Sequence, residues 1–394
     1  MYVMKGFEIM EESISLKCSI VRGGTSKGIF IMENDLPKDP ISRDKYILEV
    51  FGSPDIRQID GLGGADVLTS KLAIIGPSTR EDADIDYTFG QVSFENSKID
   101  YKSNCGNISA GVGPFAINNK LVQIEEPYTT VRIHQVNTNT IIKAKVQVKN
   151  GKSKVEGDTH IDGVPTDGSE ILLDFSDSVG SITGKLLPSG NVTDTITTED
   201  GKTYEVSIID AAIPTVFIEA DSLNISGIET PLEIEQNIEL MQKIEEIRGR
   251  CAQLMGLTDD YRQSKTSCPY TPFFSIVSKS KTYKSYNGKL IDEKEIDVVS
   301  RLVFMQKMHK THPVTGTICM SAAARVPGSI VYRNLSLRAQ SEKKIIIGHP
   351  AGVIPVISEL EKKDDNFKLK EATVIRTARI IMDGNVYLRI SKIK

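Results

Sequence analysis

Residues 103–119 read Ser103-Asn104-Cys105-Gly106-Asn107 and then ISAGVGPFAINN. The polar opening followed by small apolar residues predicts a helix that starts just after Cys105, and its small side chains let it pack closely inside other structure. A thiol at a helix start meets free amides and the positive end of the dipole, both of which favour the thiolate. Asn104, Gly106 and Asn107 leave room and donors for a bound carboxylate. Buried cysteines are commonly inert, but flanking by Asn and Gly in place of apolar residues speaks for function here. Thr315-Gly316-Thr317-Ile318-Cys319-Met320-Ser321, leading into AAARV, repeats the order of glycine, cysteine and small-residue helix. Two cysteine-headed helices would offer one acid/base group for each side of a substrate, with Thr317 and Ser321 beside the second. Cys319 as an inert core thiol is the competing reading.

Around these helices the chain is rich in short β-branched runs, among them SLKCSIV, GIFIM, KLAIIG, TIIKAKVQV and TVFIEA, set between turn residues. A helix is predicted over 231–255, where Ile234, Ile238, Met241, Ile244, Ile247, Cys251 and Leu254 recur at helical spacing behind Thr230 and Pro231. A further helix is expected over about 293–310. The polar, turn-rich stretch between about 180 and 203 suggests a boundary. It gives a first domain of 1–195, completed by the final strands 372–394, and a second of 196–371. No repeat is visible by plain identity.

With 394 residues, 39% hydrophobic and 25% charged, two globular domains are the natural expectation. The net charge of -4 provides no broad basic field for nucleic acid, so an anionic substrate needs a locally built site. Five cysteines without CxxC spacing suggest neither a disulfide framework nor a zinc site, and the histidines show no ligand spacing, so no metal is expected. No leader-like segment opens the chain and no stretch is long and apolar enough for a membrane span, which predicts a cytoplasmic protein without membrane partners. Neither a GxGxxG after a strand nor a nucleophile elbow is present, so no cofactor is expected.

Three further segments carry chemistry. Val21-Arg22-Gly23-Gly24-Thr25-Ser26-Lys27-Gly28 is a glycine-rich turn between apolar strands. The amides at Gly24, the hydroxyls of Thr25 and Ser26 and the Lys27 ammonium could line an anion site, although an ordinary hairpin would look similar. Gly61-Leu62-Gly63-Gly64 precedes Thr69-Ser70-Lys71 at the start of KLAIIG. A lysine entering an apolar strand beside glycines is partly desolvated, which suits a proton carrier, whereas a snorkelling surface lysine is the bland reading. Gly348-His349-Pro350-Ala351-Gly352 is a turn whose His349 could bind a carboxylate, or else be held by local backbone bonds.

Taken together, VRGGTSKGIF, IDGLGGADVLTSKLAIIG, DYTFGQV, NCGNISAGVGPFAI, IDAAIPTVFIEA, ARVPGS and GHPAG resemble, in order, the PrpF-type isomerase family, from about residue 17 to 390. That family includes 2-methylaconitate isomerase, 4-oxalomesaconate tautomerase and methylitaconate isomerase. The resemblance implies a diaminopimelate epimerase-like α/β (α+β) fold: two similar domains, each a curled, mostly antiparallel sheet around a central helix, with the active site in the cleft between them. It implies a cofactor-independent isomerase of small unsaturated di- and tricarboxylic acids, first a 2-methylaconitate-type substrate and alternatively 4-oxalomesaconate or methylitaconate. The family's lysine in TSK falls on Lys71 and its cysteine in NCGN on Cys105; Cys319 matches the second epimerase cysteine. Ala351 stands where the family's serine is familiar. A cysteine-pair amino-acid epimerase and a non-catalytic, carboxylate-binding accessory of an aconitase-like enzyme are the rival readings. The expected partner is a small polycarboxylate; a homodimer stays open.

Overall fold

The computed structural model describes residues 12–101, 104–363 and 366–394, with the side chains of 363 and 366 left aside. Ser103, read above for chemistry, and the first eleven residues, read for a leader, lie outside the described residues. The chain forms two compact units, Met1–Leu173 with Arg376–Lys394, and Asp174–Ile375. The division falls earlier than residue 195. Phe175 N bonds to Ala372 O, Gly180 N to Asp210 O and Ala212 N to Ser178 O, so the turn-rich stretch is stitched into the second unit.

In the first unit, strands β1 (Ser13–Gly23), β2 (Ser26–Met32), β3 (Lys71–Pro77), β4 (Ile85–Val92), β5 (Tyr128–Gln135) and β6 (Thr140–Lys149) lie side by side. The successive pairings are antiparallel, parallel, antiparallel, parallel and antiparallel. The C-terminal strand Ala378–Arg389 adds antiparallel to β1. Helix α1 (Pro40–Phe51) occupies the β2–β3 crossover and α2 (Gly106–Asn118) follows β4 on the way to β5. Side chains alternate along strands, so one face of the sheet presents Ile29, Ile31, Leu72 and Ile74 to Ile47, Val50 and Phe51 of α1. The other face receives α2, which is buried from Gly106 through Ile117. A methyl group on Gly111 would sit 2.7 Å from Val21 Cγ1, which is why this helix is built of small residues.

The second unit repeats that order. Strands β7 (Thr203–Ala211), β8 (Ile213–Glu219), β9 (Phe273–Lys279), β10 (Val298–Phe304), β11 (Lys344–His349) and β12 (Gly352–Lys363) pair with the same alternation of senses. Helices α3 (Pro231–Gln236) and α4 (Ile238–Leu254) lie between β8 and β9, and α5 (Val314–Ala323) between β10 and β11. Ile244, Ile247 and Cys251 of α4 pack on Val206, Ile208, Val216 and Ile276, while α5 is buried throughout.

Three local expectations are corrected. The helix over 231–255 is two helices, broken at Asn237, whose side chain accepts a bond from Leu240 N and caps α4. The expected capping box of Thr230 and Glu233 does form. The segment 293–310 is a single 3-10 turn, Glu293–Glu295, followed by β10 and the short strand Lys307–Met308. Because β10 is paired on both edges and nearly all buried, its apolar run lacks strand alternation and resembles a helix in sequence. Finally, α5 begins at Val314 behind Pro313, so Cys319 lies more than a turn inside the helix and does not head it.

Candidate active site

Strand alternation decides where Lys71 points. Leu72 and Ile74 face α1, so Lys71 and Ala73 face α2. Lys71 heads β3, opposite Gly28 on one side and Gln91 on the other. Cys105 is the N-cap of α2, with φ -122° and ψ 99°, and its side chain makes no capping bond. The two side chains meet: Lys71 Nζ donates to Cys105 Sγ at 3.3 Å. Lys71 is 7% and Cys105 9% exposed, so a nitrogen and a sulfur that can each take up or give a proton share a nearly dry place. The ammonium also stands 5.4 Å from the centre of the Phe89 ring, a cation–π contact. Burial, then the nearby Cys105 sulfur, raises the Tyr87 phenol well above its ordinary value and keeps its proton on.

The loop ahead of Lys71 is framed by Gln58. Its Oε1 accepts from Ala65 N at 2.8 Å and from Ser70 Oγ at 2.6 Å, and its Nε2 donates to Ser53 Oγ at 2.9 Å. Gly64 N donates to Ser70 Oγ at 3.4 Å and Thr69 Oγ1 to Gly64 O at 2.9 Å. Gly64 and Ser70, expected as ligand contacts, are thus bonded within the frame that carries Lys71.

The glycine-rich turn lies against the start of α2. Gly24 has φ +50°, and a methyl group there would fall 2.2 Å from Asn107 Oδ1. Asn107 Nδ2 donates to Thr25 Oγ1 at 3.2 Å. Asn107 Oδ1 and Ser26 Oγ are buried and have no hydrogen-bond partner. Lys27 is half-buried and its amide bonds to Leu68 O at 2.9 Å, tying the turn to the loop before Lys71. Asn104 is buried, and its Oδ1 accepts from Ser109 Oγ at 3.5 Å; Gly106 opens α2. Lys71, Cys105, Gly24, Thr25 and Asn107 are therefore neighbours in the first unit.

The second-unit candidates are engaged with their own unit. Cys319 is fully buried, its Sγ donates to Ile209 O at 3.2 Å, and burial pushes its thiol up to about 12. Thr317 Oγ1 bonds to Pro313 O at 3.0 Å and to His312 Nδ1 at 2.8 Å. Ser321 Oγ donates to Ile318 O at 2.8 Å. His349 is buried; its Nδ1 accepts from Ala351 N at 3.2 Å and its ring lies 6.4 Å from that of His312. In the second repeat Phe273 heads the strand that matches β3, and Pro313 caps the helix that matches α2. Sequence reading gave no role to Gln58, to Phe89 within DYTFGQV or to Arg376, whose neighbours are distant in the chain. Among the described residues, no group of three or more His, Cys, Asp or Glu could hold a metal ion, and no helix is long and apolar enough to cross a membrane.

Residues 13–389 match the family described as PrpF protein. The chain belongs to the PrpF family. Among PrpF relatives, it is 50% identical to the 3-methylitaconate isomerase of Eubacterium barkeri, over 98% of this chain and all of that protein. It is 36% identical to the 4-oxalomesaconate tautomerase of Pseudomonas putida, over 94% of this chain and 95% of the relative. The 2-methyl-aconitate isomerase of Shewanella oneidensis is 33% identical, over 98% and 99%. The crystal structure of a methylitaconate-delta-isomerase matches with a TM-score of 0.85 at 49% identity, over 98% of both chains. A hydroxyproline epimerase from Agrobacterium vitis shares the fold alone, with a TM-score of 0.57 at 11% identity over 95% of this chain and 93% of that one. The PrpF chain thus has the epimerase-like fold of two similar sheet-and-central-helix units.

Proposed function

We propose that the chain is a cofactor-independent isomerase of small unsaturated polycarboxylic acids that works by a 1,3-proton shift, with 3-methylitaconate-type acids as its first substrate class. The observation that carries this reading is the 3.3 Å contact between Lys71 Nζ and Cys105 Sγ. In a 3-methylitaconate-type acid, the carbon bearing the methyl group is both allylic and adjacent to a carboxylate. One member of the pair takes its proton, and the electron pair spreads over the carboxylate and the double bond. A proton returned to the terminal CH2 makes a methyl group and leaves the double bond between the two carboxylated carbons, with no change in formula. Amides at the start of α2 and the Lys71 ammonium support the charge that develops on the carboxylate.

The identities favour methylitaconate over 2-methylaconitate and oxalomesaconate, 50% against 33% and 36%. Cys319 is assigned to the core. Its thiol is fully buried and bonded to Ile209 O, which disfavours an epimerase working with two thiols. The test is proton NMR in deuterated buffer with each of the three acids, for the wild type, Cys105→Ser and Lys71→Ala. Double-bond migration with one acid, falling about a hundredfold or more in both variants, is the expected result. Less than about tenfold loss in Cys105→Ser, against the usual worth of a proton-transfer group, would remove Cys105 from the mechanism. Binding of an acid without migration or exchange would favour the accessory reading.

A further inference from the structure

Arg376 is a cation only 3% exposed. It precedes Thr377, whose carbonyl accepts Gly24 N at 2.9 Å and Arg22 Nη1 at 2.8 Å, so the end of the C-terminal segment is bonded directly to the glycine-rich turn. Arg376 Cδ lies 3.1 Å from the point where a methyl group on Gly24 would sit, and Asn107 Oδ1 lies 2.2 Å from that same point. The arginine stem, the Asn107 amide and the turn backbone therefore converge above the first turn of α2. Burial lowers the guanidinium to about 10, which leaves it charged at neutral pH.

The polar atoms of this corner call for a ligand. Asn107 Oδ1 and Ser26 Oγ are buried without a hydrogen-bond partner. Unmade bonds of buried polar groups are costly, and native proteins rarely keep them without a reason. The two ends of an amide are interchangeable by a half-turn, so Asn107 can accept from Thr25 and turn its NH2 toward the corner, where Ser26 can also donate. A carboxylate beside the buried Arg376 guanidinium would give these groups the partner they lack.

We propose that Arg376, with the Ser26 hydroxyl and the Asn107 amide, binds one carboxylate of the polycarboxylate substrate and is a specificity-determining residue of the site. This deepens the functional reading above and rests on it for the identity of the ligand. A planar guanidinium fits a carboxylate through two parallel bonds, which a lysine ammonium cannot reproduce.

The test is calorimetric binding of a saturated diacid, 2,3-dimethylsuccinate, which cannot isomerise, to the full-length wild type, Arg376→Gln, Arg376→Lys and Ser26→Ala. Loss of a bond to a charged group predicts affinity lower by about tenfold to a hundredfold in Arg376→Gln, with incomplete recovery in Arg376→Lys. In a further variant, Arg376→Ala, added guanidinium should restore part of the binding. Wild-type affinity in a folded Arg376→Gln protein, or no binding of the diacid by the wild type, overturns the proposal. Should Arg376→Gln not fold, Ser26→Ala decides: several-fold weaker binding at unchanged melting temperature supports the site, and unchanged binding overturns it. Diacid binding that depends on Arg376 in a protein that isomerises none of the unsaturated acids would uphold this site while rejecting the functional reading.

Discussion

Lys71 and Cys105 are 34 positions apart; the family resemblance named both, but the residues themselves made each legible only singly. The cysteine announced itself by its polar flanks at a helix start, the lysine by its place at the head of an apolar strand. Their contact was not legible, since it depends on which face of β3 the alternation turns toward α2. Arg376 was invisible for the same reason: one arginine in a run of alternating strand residues has no local mark, and only Thr377, bonded to Gly24, brings it to the turn. Gly24 gives a sharp test. Substitution by alanine combines a positive φ with a methyl group 2.2 Å from Asn107 Oδ1, so Gly24→Ala is expected to lower kcat/KM at least about tenfold while costing about 1 kcal/mol or more of stability, measured by urea unfolding. Thiol reactivity offers another. Cys18, Cys251 and Cys319 are buried with thiols raised by burial, so at neutral pH a disulfide reagent should reach them only after denaturation, with the half-buried Cys268 modified early. Rapid loss of the Cys319 thiol in the native protein would contradict its assignment to the core.

At the scale of elements, helices with chemical punctuation were legible and apolar runs without it were not. Thr230, Pro231 and Glu233 mark the start of α3 correctly because a capping box satisfies amides that nothing else can reach. The break at Asn237 escaped notice because the apolar periodicity continues through it; the residue behaves as a second cap, bonding Leu240 N at 3.0 Å. Asn237→Ala is therefore expected to cost about 1 kcal/mol, seen as a lower urea midpoint with unchanged slope. A neutral effect would mean that α4 is held by its packed face alone. The misreading of β10 has a different origin. A strand with neighbours on both edges and cover on both faces loses its period of two, and length and flanking residues then have to decide between strand and helix.

For the molecule as a whole, the repeated order of strands and helices was implied by family resemblance and not by any internal identity, because the two units share pairing senses and crossover positions rather than residues. Each unit buries thiols, and this sets an alkaline limit. Burial raises Cys18 to about 11 and Cys319 to about 12, so the folded state favours their protonated forms over the unfolded chain. That contribution is fully present below the ordinary thiol value of 9.0 and is lost as pH climbs through the folded values. Unfolding midpoints measured from pH 8 upward are expected to fall beyond about pH 9, less steeply in Cys319→Ala if the fold tolerates it.

The first repeat holds Lys71 and Cys105, whereas the second holds Phe273 and Pro313 in the matching places. On the proposed function, both proton carriers belong to one unit and approach a substrate from the same side. Their expected stereochemical course is suprafacial. A nearly dry pair 3.3 Å apart can also hand back the very hydrogen it removed. With a substrate deuterated at the carbon that loses hydrogen, part of the isotope is expected in the new methyl group even in ordinary water. Complete washout to solvent would show that the pair exchanges its proton faster than it completes the transfer.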